Sequence, residues 1–198
     1  MWTYEKRLQS PVKITQPNAK IAQVIMSQYG GPDGEMGASL RYLSQRYSMT
    51  NRKVAGLLTD IGTEELAHLE IVASIVRQLT KGLSAKQLEE AGFAPYYIDH
   101  TAAIWPQAAG GIPFNACEFQ SNGDPITDLT EDLAAEQKAR TTYDNILRLV
   151  KDPEVCDPIR FLREREIVHF QRFGEGLRMI QEDLDSKNFY AFNPDFDM

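Results

Sequence analysis

The chain has 198 residues, 42% of them hydrophobic, enough for one substantial core and too few to require a second domain. A formal net charge of -7 and a pI near 5.0 repel a nucleic-acid backbone or an anionic membrane surface, so neither is expected as a partner. Cys117 and Cys156 stand far apart with no CxxC, which excludes a disulfide framework or a zinc ribbon and leaves two reduced structural thiols.

Met1 to Arg7 lacks an apolar signal core, and no run approaches the ~18 apolar residues of a spanning helix. The expectation is a protein made in the cytosol without a cleaved export signal. Residues 1–16, with Pro11 and then Pro17, read as an extended arm, followed by a short amphipathic helix carrying Ile21, Val24 and Ile25. Gly30, Gly31, Pro32 and Gly34 stop it.

A helical pattern resumes from about Asp33 to Ser48 and, after Met49, Thr50 and Asn51, runs again to about Thr80. In that stretch Leu58, Ile61, Leu69, Val72 and Ile75 recur at helical spacing. Residues 81–123 are broken by glycine and proline and form a long crossover, with one short helix near Ser84 to Ala91. Asp124 and Pro125 open a glycine-free helix to about Val150, and Lys151-Asp152-Pro153 separates it from a last helix over about Asp157 to Leu184. Residues 188–198 read as an irregular tail. The prediction is an all-α single domain over 1–198: a ferritin-like four-helix bundle of two antiparallel hairpins joined by the crossover.

Two of the three histidines share one local context, Glu65-Leu66-Ala67-His68 and Glu166-Ile167-Val168-His169. An i, i+3 pair occupies one helix face about 5 to 6 Å apart at Cβ, which suits two ligands converging on one site. Each pair has a glutamate thirty residues upstream, Glu35 and Glu136, so E-x29-E-x2-H occurs twice. The midpoints, Thr50 and Lys151, fall in the two predicted turns. Residues equidistant from an antiparallel turn lie level, here about 22 Å from it, so all four glutamates meet at one height of the bundle.

One Glu from each of two helices and a Glu-x-x-His from each of the other two is the arrangement of di-iron and di-manganese carboxylate bundles. Several buried carboxylates at one level demand cations. Glu64, Glu70, Glu131, Asp132 and Glu164 are read as surface charge, and His100, without a ligand-spaced companion, as structural or exposed. The absence of HExxH removes a zinc-protease reading.

The segments Gly30-Gly31-x-x-Gly34-Glu35, Leu57 to Glu70, Asp132 to Arg140 and Phe161 to His169 resemble the manganese catalase family, most closely its short spore-coat members, over roughly Met1 to Lys187. The resemblance implies two manganese ions per chain, one held by Glu35 and His68, the other by Glu136 and His169, with Glu65 bridging. It places Glu166 outside the ligands as proton acceptor and donor, and Tyr42 in hydrogen-bonding reach of the site.

It further implies disproportionation of hydrogen peroxide to water and dioxygen, a homo-oligomer, other spore-coat proteins as neighbours, and a spore coat assembled from the mother-cell cytoplasm. Glu and His ligands by themselves hold iron(II) more tightly than manganese(II), so iron is the alternative metal. The alternative functions are a structural coat protein with a metal-stabilised bundle, and a di-iron oxidase or peroxidase. The long C-terminal extension of full-length manganese catalases is missing from this sequence.

Overall fold

The computed structural model describes residues 3–93, 100 and 103–187. The tail expected at 188–198, and residues 94–99, 101 and 102 of the crossover, lie outside the described residues. The helices are α1 (Ala19–Ile25), α2 (Ser27–Gly30), α3 (Glu35–Gln45), α4 (Arg52–Thr80), α5 (Ala85–Glu90), α6 (Pro125–Leu149) and α7 (Pro153–Lys187), with one 3-10 turn at Ala116–Glu118. Among the described residues the nearest approach to a sheet is a single bridge between Gln107 and Pro113.

Local chemistry sets the helix ends. Asn51 caps α4, its side chain accepting from the Lys53 and Val54 amides at 2.9 and 3.4 Å. Asp124 caps α6 in the same way through Thr127, with Pro125 in the first turn. The last helix begins four residues earlier than its predicted start at Asp157. Asp152 accepts from the Glu154 amide at 2.9 Å, and Pro153 occupies the first helical position, where a missing N–H costs nothing. Asp152 and Pro153 are thus a helix start as well as an interruption.

α3 packs against α4 and α6 against α7, giving the two expected hairpins, and α4 also packs on α7. The register of the first hairpin follows the predicted turn centre: Ser39 Oγ donates to the Gly62 carbonyl at 2.7 Å, and 39 and 62 are nearly equidistant from Thr50. Gly62 allows this approach, because a Cβ there would stand 2.9 Å from Leu43 Cγ. Likewise a Cβ on Gly30 would collide with the backbone of Pro106 and Gln107, so the crossover passes over α2 only because residue 30 has no side chain.

Along α4 the buried positions Val54, Leu58, Ile61, Glu65, His68, Val72, Ile75 and Leu79 follow helical spacing. Leu69, expected to point inward, is instead half-buried on the outer flank, where it lines a groove beneath the N-terminal arm with Leu66 and Ala67. Two apolar clusters form the core. One gathers α1, the distal half of α4, α5 and the α6–α7 turn, and the other gathers Tyr42, Leu58, Ile61, Leu129 and Phe173. The polar layer holding Glu35, Glu65, Glu136 and the two histidines lies between them.

Candidate metal centre

Glu35 and Tyr42 come from α3, Glu65 and His68 from α4, Glu136 from α6, and Glu166 and His169 from α7. All seven are buried, at 2% exposure or less. Burying carboxylates and imidazoles in one layer costs several kcal/mol per ion unless opposite charge is held among them.

The two halves of the site mirror each other. His68 Nδ1 lies 2.7 Å from Glu65 Oε2 and 3.7 Å from Glu35 Oε2. His169 Nδ1 lies 2.7 Å from Glu65 Oε1 and 3.5 Å from Glu136 Oε2. One Glu65 oxygen therefore faces each imidazole, and each ring has its own further glutamate. The rings stack with centroids 5.5 Å apart and planes 19° from parallel.

Glu65, His68, Glu166 and His169 offer ligand atoms all within 4.8 Å of one another. Bonds of about 2.1 Å to a common ion put donor atoms about 3 to 4.2 Å apart, a spread near that of this group. Glu166, which the resemblance keeps outside the ligand set, belongs to this group by distance. Its Oε1 is buried without a hydrogen bond.

Charge balance in the layer also fits cations. Burial, then the charges of Glu136, Glu35 and Glu65, push the Glu166 carboxyl well above the usual carboxylate range. Glu35 is pushed up to about 8, by burial first and by the Glu65 charge second. Burial works against protonated imidazoles, yet the Glu65 charge and the surrounding carboxylate contacts outweigh it, raising His68 well above its ordinary value and His169 to about 12. Burial alone would raise Glu65, but the two histidines hold it below the usual range. Positive charge on the imidazoles is thus favoured where the donor set would hold metal cations. Oxygen and imidazole donors of this kind suit manganese and iron.

Two tyrosines brace the layer. The Tyr42 hydroxyl donates to Glu136 Oε1, as expected of a residue placed near the site. The Tyr143 hydroxyl donates to Glu35 Oε1, and sequence reasoning missed it. The signal was present: Tyr42 follows Glu35 by seven residues and Tyr143 follows Glu136 by seven, so the internal repeat extends to both tyrosines. Each tyrosine reaches across to the glutamate of the other hairpin.

Of the acidic residues read as surface charge, Asp132 is buried and Glu64 is half-buried. Asp132 is fully buried, because α3 and the crossover cover the face of α6 that also carries Asp128 and Glu136; nearby, Arg41 Nε lies 2.9 Å from Glu131 Oε2. Glu64 contacts both imidazoles from outside: His169 Nε2 lies 3.1 Å from its Oε2 and His68 Nε2 3.6 Å from its Oε1. Glu164 is exposed, as expected, and half-buried Glu70 accepts from the Tyr4 hydroxyl at 2.6 Å. His100 stacks on Trp105 with centroids 3.9 Å apart, away from this centre, which fits its structural reading.

Comparison with known proteins gives this geometry a context. The family described as manganese containing catalase matches residues 1–190. The chain is 51% identical over 190 residues to Protein CotJC of Bacillus subtilis, covering 96% of this chain and 100% of that protein. It is 31% identical over 191 residues to a probable manganese catalase of Clostridium acetobutylicum, covering 96% and 85%. The crystal structure of KatB, a manganese catalase from Anabaena, superposes with a TM-score of 0.82 at 28% identity, covering 98% of this chain and 84% of that one. The chain, a ferritin-like helical bundle with a buried Glu/His cluster fit for metal, belongs to the manganese-containing catalase family.

Proposed function

We propose that the protein disproportionates hydrogen peroxide to water and dioxygen at a centre of two manganese ions. The observation that carries this reading is the position of Glu65, whose two oxygens each lie 2.7 Å from one imidazole Nδ1, one ring on α4 and one on α7. A carboxylate so placed could serve two cations at once, which Glu35 with His68 and Glu136 with His169 would hold. Two adjacent manganese ions, when bound, exchange two electrons with peroxide and spare the chain a radical intermediate.

The remaining chemistry belongs to the protein's own groups. Glu166 is the group suited to carry a proton, since burial and three neighbouring carboxylates push its carboxyl well above the usual range in the metal-free chain. One peroxide takes two electrons and two protons to become two waters, and a second returns both as it becomes dioxygen; Glu166 would relay these protons one at a time, giving them to the peroxide oxygens as the O–O bond breaks and taking them back from the next peroxide. Tyr42 and Tyr143 hold Glu136 and Glu35 in place through their hydroxyls. The two apolar clusters above and below the layer limit bulk water around it.

As a partner we propose further copies of this chain in a homo-oligomer. As a location we propose the spore coat, reached by assembly from the mother-cell cytoplasm, on the strength of the similarity to the short spore-coat members. No described helix is long and apolar enough to cross a membrane.

An oxygen electrode tests the activity. Manganese-loaded protein should evolve oxygen from peroxide well above an equal concentration of free manganese and hold about two ions per chain. Oxygen evolution no faster than free manganese, with the metal bound, would leave a structural coat protein as the reading.

A further inference from the structure

Glu64 stands one residue before Glu65 and faces away from it, on the flank of the centre nearest the solvent. Its carboxylate gathers groups from three segments of the chain. Arg165 of α7 donates Nε to Oε1 at 2.8 Å and Nη2 to Oε2 at 3.0 Å, a two-pronged contact. Gln9 of the N-terminal arm donates Nε2 to Oε1 at 2.8 Å. His169 Nε2 approaches Oε2 at 3.1 Å, and His68 Nε2 stands 3.6 Å from Oε1 with no hydrogen bond to any other described residue.

We infer that Glu64 is a shared positioning residue: one carboxylate orients both imidazoles through Nε2, so that each presents Nδ1 to the metal centre, while Arg165 and Gln9 hold Glu64 in that pose. A histidine that ligates through one ring nitrogen needs an acceptor for the N–H on the other, and that acceptor sets the ring's tautomer and orientation. The usual provision is one acceptor for each ring. Here a single carboxylate stands within reach of two, so a change at Glu64 reaches both halves of the site.

Through Gln9, the N-terminal arm becomes part of the support of the centre. The arm is moored a second time on the same helix by Tyr4 and Glu70.

This inference rests on the metal-centre reading of the site, and the test separates the two. Manganese(II) affinity is measured by competition against a metal-indicator dye, alongside the EPR line shape of the loaded protein, for the parent, Glu64→Gln, Arg165→Ala, Gln9→Ala and Glu70→Gln. In Glu64→Gln both ions should bind about 10- to 100-fold more weakly, the usual loss when an outer partner of a ligating histidine is removed, with a changed EPR line shape. Arg165→Ala and Gln9→Ala, which leave Glu64 in place but release its pose, should shift both readouts in the same direction by less. Glu70→Gln takes the charge from the Tyr4 contact and so weakens it without touching either imidazole, and should match the parent.

A parent that binds no manganese overturns the metal-centre reading and this inference with it. A parent that binds two ions, with Glu64→Gln matching it in affinity and line shape, overturns the role of Glu64 alone. An equal loss in Glu70→Gln would do the same, by tracing the effect to general loosening of the arm. Should Glu64→Gln fail to fold, the two anchor variants decide: parent-like affinity and line shape in both would sink the inference.

Discussion

Glu65 and Glu166 hold equivalent places in the two Glu-x-x-His motifs, yet Glu65 lies 2.7 Å from the Nδ1 atoms of both histidines while Glu166 pairs with neither ring. The repeat in the sequence is therefore not a repeat in geometry. Glu65→Gln should lose the metal pair, because a neutral amide cannot supply the charge that faces both imidazoles. Glu166→Gln should keep both metals and turn over peroxide more slowly by a factor of roughly 10² to 10⁴, the usual contribution of a general acid-base group. Metal content and oxygen evolution on one preparation check this. Metal loss in Glu166→Gln would make that carboxylate a ligand, in line with its place among the clustered donors.

The histidines supply the only ring nitrogens in the described cluster, one from each hairpin. His68→Ala and His169→Ala should each fold and each retain about one manganese ion per chain or fewer, since each strips one half-site of its nitrogen. Elemental analysis after gel filtration is the check. Two ions in either variant would mean that the ring points at the centre without binding metal.

Stability of the metal-free chain should fall as pH rises, while the stabilisation that metal adds should grow. Glu35 is pushed from an ordinary 4.5 up to about 8, by burial before the Glu65 charge, so between those values the folded metal-free chain keeps a proton that the unfolded chain has released. Stability then falls as pH rises through that window. Above 6.5, the ordinary histidine value, His169 adds to the same trend: burial opposes its charge, but Glu65, Glu136 and Glu64 raise it to about 12. Manganese must displace these protons, so its binding tightens over the same range. The gap in Tm between manganese-loaded and metal-free protein should widen from about pH 5 to about pH 8. A constant gap would mean that metal binding releases no protons from this layer.

Much of the site was legible because its geometry is written as spacing. Glu35, Glu65, Glu136 and Glu166 lie at matched distances from two turns, and helices turn matched distances into a common level. Glu64 was illegible for the opposite reason. Its partners Gln9, Arg165 and His169 are remote in sequence, and a glutamate beside a core glutamate reads as the start of the solvated face. Asp132 failed similarly, since its burial depends on α3 and the crossover covering α6. Helix periodicity also misdirected Leu69, which is apolar because the N-terminal arm covers it and not because it faces the bundle core.

The crossed tyrosines give the most specific prediction. Tyr42 and Glu35 share α3, and Tyr143 and Glu136 share α6, but the hydroxyls reach across: Tyr42 to Glu136, and Tyr143 to Glu35. All four groups are buried, so deleting either hydroxyl leaves a carboxyl oxygen without its partner, at a cost of about 1 to 3 kcal/mol. Tyr42→Phe and Tyr143→Phe should each lower the midpoint of urea unfolding of the metal-free chain by a comparable amount. Double-mutant cycles then separate the crossed pairing from the pairing along each helix. Tyr143→Phe combined with Glu35→Ala should be clearly non-additive, as should Tyr42→Phe with Glu136→Ala. The same-helix combinations, Tyr42→Phe with Glu35→Ala and Tyr143→Phe with Glu136→Ala, should add to within about 0.5 kcal/mol. Stronger coupling within each helix than across the bundle would mean that the hydroxyls do not bridge the hairpins, and would remove Tyr143 from the support of the site.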